Sequence, residues 1–230
     1  MVDDSFSPYA YDDDLIAAAR RDGRTRVRVY RPTAPVVVLG AGSRAETELH
    51  VDACRADNVP ILRRSGGGCA VLLDPGVVVV SVVATGMPFG QHRQFFNLLT
   101  DWLIGGLKAV GISGVVQRGV CDLAYNDRKV GGACLHRLRD TLYYSTSLLV
   151  DPDLDRVARC IKHPPREPDY RRGRRHEDFM GALNAARGNT ARTAADLRRI
   201  LKPPDLAIAD SSFDRDSNRA SPSHVPASIG

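Results

Sequence analysis

Eight consecutive residues, Val77 to Ala84 (VVVVSVVA), make the longest strongly apolar run in the chain. Such a run is far too short to cross a bilayer, which takes roughly 20 residues. Its β-branched valines predict a strand instead. Across 230 residues, 43% are apolar and 26% charged, enough for a full core without disulfides or structural metals. The acidic opening MVDDSFSPYAYDDD has no apolar stretch, so no secretory signal is read there. Membrane-spanning, collagenous and disulfide-scaffold chains are excluded. Cys54, Cys69, Cys121, Cys134 and Cys160 are odd in number, widely spaced and lack a C-x-x-C pair. A reducing cytoplasm and the absence of a tightly bound metal are expected.

The charge pattern is unusual. Formal net charge is +5, and 28 of the 32 basic residues are arginine; the lysines are Lys108, Lys129, Lys162 and Lys202. Arginine favours carboxylate or phosphate ligands and acidic partners. No aromatic interleaving for base stacking accompanies it, so nucleic acid is not an expected partner.

Periodicity predicts helices at 11–22, 45–57, 91–110, 153–161 and 193–201, the last capped by Thr193. Helix 91–110 is the clearest, with Phe95, Leu98, Leu99, Leu103 and Leu107 on one stripe. Strands are expected at 25–31, 36–40, 59–62, 70–73 and 77–83, then within VCDLAY, ACLHRL and TLYYSTSLLV. TRVRVYRPTAP reads as a hairpin. The order predicts an α+β fold with mixed, largely antiparallel sheets flanked by helices. One domain over residues 1–202 is expected, followed by a polar tail over 203–230, disordered from 211.

Four segments invite a chemical reading. VVVLGAGSRA fits G-x-G-x-x-A between a strand and a helix, with Arg63 and Arg64 placed to meet the 2′-phosphate of NADP. No further βαβ unit follows, so a tight turn is the favoured reading. In RRSGGGCAV, three glycines behind two arginines form either an anion cradle or a flexible connection. NDRKVGG sets Lys129 beside two glycines, either over a bound anion or in solvent on a hairpin tipped by Asn126 and Asp127. PPREPDYRRGRRHEDF reads as a loop, either a solvated face or an electropositive lid or docking surface.

In this order RRSGGGCAV, CDLAYNDRKVGGA and SLLVDPDL resemble the lipoate–protein ligase A family over about residues 11–185. PPREPDYRRGRRHEDF resembles a segment of one bacterial subgroup of lipoate ligase-like proteins. The resemblance implies the fold shared by lipoyl, octanoyl and biotinyl protein ligases, with residues 1–202 as catalytic domain. It implies ATP- and Mg²⁺-dependent activation of lipoate or octanoate as an acyl-adenylate. The acyl group then passes to a lysine of a lipoyl-domain protein, such as a 2-oxoacid dehydrogenase E2 or a glycine-cleavage H-like protein. A small accessory subunit is a further implied partner; a membrane is not.

Residue by residue, the resemblance makes Lys129 the catalytic lysine, contacting acyl carbonyl and phosphate. Arg64, Ser65, Gly66, Gly67, Gly68, Cys69 and Ala70 would line the acyl channel. Gly131, Gly132 and Ala133 would pass close to the adenylate, and Asp122 would hold nucleotide or Mg²⁺. The chain departs from the family pattern at Leu72 and Leu73, which replace an aromatic and a histidine. It departs again at Cys121, where asparagine is common, and around Tyr144 and Ser145, where His-Gly is usual. Two alternatives stay open. One is octanoyl or lipoyl transfer from acyl carrier protein through a cysteine thioester, with Cys121 as nucleophile and Cys134 and Cys160 expected nearby. Cys69 and Cys134 read otherwise as core residues. The other is a member that binds without chemistry.

Overall fold

The computed structural model describes residues 5–186 and 189–206. The valine run lies in β5 (Val77–Thr85), second in a six-stranded antiparallel sheet. Its neighbours are β1 (Arg26–Tyr30) and β9 (Thr141–Leu149). Beyond β9 come β8 (Arg128–Leu138), β7 (Asp122–Tyr125) and β6 (Val116–Arg118), giving the order β1-β5-β9-β8-β7-β6. A strand this apolar, broken only by the buried Ser81 before its last residue, implies cover on both faces. Val78 and Val80 pack with Leu103 and Leu107 of α4 (His92–Ala109) and Leu197 of α7 (Thr190–Ile200). Val77 and Val79 point the other way, onto Val38 and Leu73 of a second sheet. Val83 meets Leu15 and Ala19 of α1 (Asp13–Asp22).

The second sheet has three strands in the order β3-β2-β4, drawn from β2 (Val36–Leu39), β3 (Ile61–Arg63) and β4 (Val71–Leu73). β2 runs parallel to β3 and antiparallel to β4. The crossover from β2 to β3 carries α2 (Ala45–Glu48) and α3 (Val51–Ala56), which pack beside α5 (Leu154–Cys160). A short α6 (His176–Phe179) completes the described helices. None of these is long and apolar enough to cross a membrane.

The α+β expectation holds, and several local expectations change. TRVRVYRPTAP is not a hairpin: β1 pairs with β5, while the prolines carry the chain into the other sheet. The helix expected at 45–57 breaks in two. Leu49 pairs there with Ile161, and the His50 amide donates to the Cys160 carbonyl at 2.9 Å. α7 begins at Thr190 with Asn189 as its cap, the Asn189 side chain accepting from the Ala191 and Arg192 amides; Thr193 lies inside the helix. NDRKVGG is mostly strand. Only Asn126 and Asp127 turn, at φ of 49° and 59°, and Lys129 onward belongs to β8. β6 was not anticipated. Leu206 packs with Phe95 and Leu99, so the core gathers residues from the expected tail; the segment 211–230 lies outside the described residues.

Candidate active site

Between the two sheets lies a cavity of about 560 Å³. Val38, Val71, Leu72 and Leu73 form one wall; Val79, Ser145, Ser147 and Leu149, on the facing side of the large sheet, form the other. At one end the lining turns polar, with Cys121, Asp122, Lys129, Gly132 and Cys134.

A β-bulge builds that end. β7 and β8 pair Asp122 with Gly132 and Ala124 with Lys129, with a register shift between Leu123 and Ala124. Side chains alternate along a strand, so residues 129 and 132 would otherwise face opposite ways. The extra residue, Val130, turns into the core, and Lys129 and Gly132 then both face the cavity. Gly132 leaves room above itself: a Cβ there would lie 3.2 Å from Lys129 Nζ. The ammonium reaches across to Asp122 Oδ1 at 2.7 Å. The Tyr170 hydroxyl donates to the other oxygen, Oδ2, at 3.0 Å. Asp122 is 5% exposed, so its carboxylate is fixed by a cation on one side and a phenol on the other. Burial and Asp122 together push the Tyr170 hydroxyl well above its usual pKa, keeping it a donor.

The glycine segments interlock. Arg64 donates to the carbonyls of Val38 at 3.0 Å, Gly67 at 2.8 Å and Cys69 at 2.9 Å. Arg63 donates to the carbonyls of Gly40 and Ser43 at 3.0 and 2.8 Å. The Ala41 amide reaches the Gly66 carbonyl at 2.9 Å, and the Ser43 hydroxyl the Gly68 carbonyl at 3.1 Å. The arginines therefore clamp the two turns together, and the cradle is shaped more by backbone than by their charge. GAGSRA does open a βαβ crossover, but its first turn is filled by the second glycine loop.

Of the expected site residues, Arg64, Gly67, Gly68, Cys69, Ala70, Cys121, Asp122, Lys129, Gly132 and Ala133 line the cavity. Ser65, Gly66 and Gly131 are not among its lining residues. Ser65 hydrogen-bonds His136 Nε2 at 3.0 Å, Gly66 abuts the same imidazole, and Gly131 packs on Leu123. Cys160 is also elsewhere, buried against Cys54 beneath α3 and α5. Cys69 and Cys134, read as core residues, line the cavity instead.

Burial raises all three cavity thiols, Cys69, Cys121 and Cys134, above the usual thiol pKa. At Cys121 the Asp122 carboxylate adds to this, and Lys129 opposes it without prevailing. Protonated thiols are poor nucleophiles, so the electrostatics work against a thioester path.

Part of the arginine-rich segment 164–180 forms a wall of the cavity, while Arg172 and Arg175 stay exposed on its outer side. It contributes Arg171 and Phe179, both buried, together with Met180; Tyr170, also buried, is not a lining residue and reaches the site through Asp122. Arg174 ties it internally, donating to the Tyr170 carbonyl at 2.7 Å and the Arg171 carbonyl at 3.1 Å. Tyr170 escaped sequence reasoning because one tyrosine amid arginines carries no periodic signal. Glu48 escaped it too; this buried wall residue accepts from the Ala70 amide at 2.5 Å.

The model of the lipoyl protein ligase A/B catalytic domain matches residues 4–201. A lipoate–protein ligase of Streptococcus pyogenes is 28% identical over 129 residues, covering 56% of this chain and 37% of its own length. The chain thus spans little more than a third of that relative. The solved archaeal bipartite lipoate–protein ligase of Thermoplasma acidophilum, described with its E2 lipoyl domain, has the same fold. The TM-score is 0.69 at 21% identity, over 83% of this chain and 74% of that one. A lipoate–protein ligase A bound with ATP gives a TM-score of 0.69 at 20% identity, over 83% and 76%.

Proposed function

The chain belongs to the lipoyl protein ligase A/B catalytic-domain family, and from that premise we propose that it is a lipoate–protein ligase, joining lipoate or octanoate to a lysine of a lipoyl domain at the expense of ATP. One arrangement carries the reading: the Lys129–Asp122–Tyr170 chain at the polar end of an apolar cavity.

Joining a carboxylate to an amine in water needs an activated carboxyl. A carboxylate oxygen attacks the α-phosphorus of ATP; the acyl–phosphate bond forms as the bond to pyrophosphate breaks. The Lys129 ammonium, held by Asp122, offsets the negative charge that accumulates there. The acceptor amine then attacks the acyl carbon and AMP leaves, with Lys129 facing the developing oxyanion. Asp122 keeps Lys129 aimed, and Tyr170 keeps Asp122 in place. The apolar walls hold the acyl chain and keep water from the mixed anhydride. No protein nucleophile is required, and positioning supplies much of the rate.

No group of three or more His, Cys, Asp or Glu residues among those described is arranged to hold a metal ion. This donor set fits a Mg²⁺ carried by the nucleotide phosphates, with Asp122 as its protein contact. Such an ion would supply further charge neutralisation at phosphate. A lipoyl-domain acceptor is supported by the archaeal enzyme described with its E2 lipoyl domain. The five free cysteines support a reducing, cytoplasmic setting.

The test is lipoate-dependent ATP–pyrophosphate exchange on the purified chain. Exchange that requires lipoate is expected. Its absence with the chain alone, with added lipoyl domain and with candidate accessory subunits would overturn the reading. Cys121→Ser is expected to retain exchange and transfer within about threefold, since the thiol is protonated and off the reaction path. A loss beyond about 10³-fold would restore the thioester route.

A further inference from the structure

Glu48 has no part in the chemistry above, yet it is 6% exposed and lines the same cavity. It is the last residue of α2, where the chain breaks from the helix. Its main chain is pinned there: the Lys162 amide donates to its carbonyl at 2.9 Å, and the next residue, Leu49, bridges to Ile161. One carboxylate oxygen, Oε2, accepts from the Ala70 amide at 2.5 Å. The other, Oε1, has no hydrogen-bond partner among the described residues, and no cation among them forms an ion pair with Glu48. The cations that line the cavity are placed otherwise. Lys129 pairs with Asp122 at 2.7 Å, Lys162 donates to the Glu46 carbonyl at 2.8 Å, and Arg166 shares the wall without pairing with Glu48. A buried carboxylate with a free oxygen on a cavity and no internal counter-charge is a site for a cation from outside the chain.

The position suggests which cation. Cys69, next to Ala70, feels both Glu48 and the polar end of the cavity. Burial first and then Glu48 raise its thiol pKa, while Arg166, Lys129 and Arg64 pull the other way. Glu48 and Lys129 thus bear on the same region from different walls, one from the crossover of the small sheet and one from β8. A resident metal would want several oxygen ligands, and a lone carboxylate supplies too few. The ligase reaction brings an organic cation to this point, the acceptor lysine. It arrives as an ammonium without a lone pair, and must shed a proton before it can attack.

We infer that Glu48 receives the ammonium of the acceptor lysine and takes a proton from it, serving as general base for the transfer step. This rests on the ligase reading. One N–H bond breaks as its proton passes to Oε1, and the freed lone pair forms the bond to the acyl carbon. The acyl–phosphate bond then breaks, its electron pair leaves on AMP, and the phosphate takes the second proton from nitrogen. Three rates are compared for the unaltered protein and Glu48→Gln, whose side-chain oxygen can still accept from the Ala70 amide. They are lipoate-dependent pyrophosphate exchange, hydroxamate formation with hydroxylamine, and transfer to a lipoyl domain. Hydroxylamine is uncharged at neutral pH and needs no base. The variant is expected to keep exchange and hydroxamate formation within about threefold and to lose transfer by about 10²-fold or more. Equal transfer by both proteins overturns the assignment. So does a loss shared by all three rates, which would make Glu48 a prop for the glycine loop. Should Glu48→Gln fail to fold, Glu48→Asp decides: it keeps the charge but withdraws it by one methylene, and must show the same split between hydroxylamine and lysine. Failure of the unaltered protein to exchange or to transfer overturns both the ligase reading and this one. Exchange followed by transfer indifferent to Glu48 overturns this one alone.

Discussion

Lys129→Ala is expected to abolish lipoate-dependent pyrophosphate exchange, with a rate loss of about 10³-fold or more, because nothing else at this end of the cavity supplies an ammonium at the same point. The variant should also be less stable. Lys129 sits in a strand, and its removal leaves the Asp122 carboxylate, 5% exposed, with only the Tyr170 hydroxyl. Stranding a buried charge in this way costs about 1–3 kcal/mol, visible as a lower urea midpoint at unchanged slope. Lys129→Arg tests the geometry: a guanidinium keeps the charge, but the space over Gly132 is shaped for one ammonium, so activity should stay low. Wild-type exchange rates in Lys129→Ala would reduce the residue to a strand position facing a void.

The other large effect concerns packing. A Cβ at Gly40 would lie 1.9 Å from the Gly68 carbonyl oxygen, whereas a Cβ at Gly42 would meet nothing within 4 Å. Gly40→Ala must therefore push the two glycine turns apart and strain the contacts that Arg63 and Ser43 make across them. A destabilisation of about 2–4 kcal/mol is expected, with loss of the cradle and of exchange. Gly42→Ala should be nearly silent. The contrast also tests the dinucleotide reading, in which the second glycine must admit a pyrophosphate at close range. Equal tolerance of both substitutions in thermal denaturation would show that the turns are not locked as described.

Much of this was legible in the residues. The valine run and the stripe Phe95, Leu99, Leu103 and Leu107 state their environments directly, because burial on a strand or helix face leaves a period in the sequence. RRSGGG and DRKVGG were legible for another reason: clustered glycine is costly to keep and implies close approach. Illegible were features set by neighbours distant in sequence. Periodicity shows that a strand has an apolar face, but not that Val36–Leu39 would leave Arg26–Tyr30 and pair parallel with Ile61–Arg63. The helix break at Leu49 depends on Ile161, more than a hundred residues away. Composition misdirected most strongly in RRGRRHEDF. A run of arginines reads as surface, yet Arg171 has turned inward over Phe179, and Arg174 over the same ring. The bulge at Val130, which gives the lysine its direction, is invisible in a sequence that alternates acceptably either way.

The cavity lies between two sheets that share no strand: the chain leaves β4 for β5 through Asp74–Gly76, and apolar side chains of the two sheets pack against each other. Spacing within a sheet is dictated by peptide hydrogen bonds at about 4.8 Å, but spacing between sheets follows the bulk of the side chains that separate them. The gauge of this pocket is therefore written in Val38, Val79 and Leu149 rather than in the backbone. A single methyl group added or removed there changes which apolar tails the proposed ligase would admit while leaving every ladder intact. In the proposed ligase, substrate choice can drift through such substitutions without passing through an unfolded ancestor, and Lys129, anchored on a different pair of strands, would not register the change.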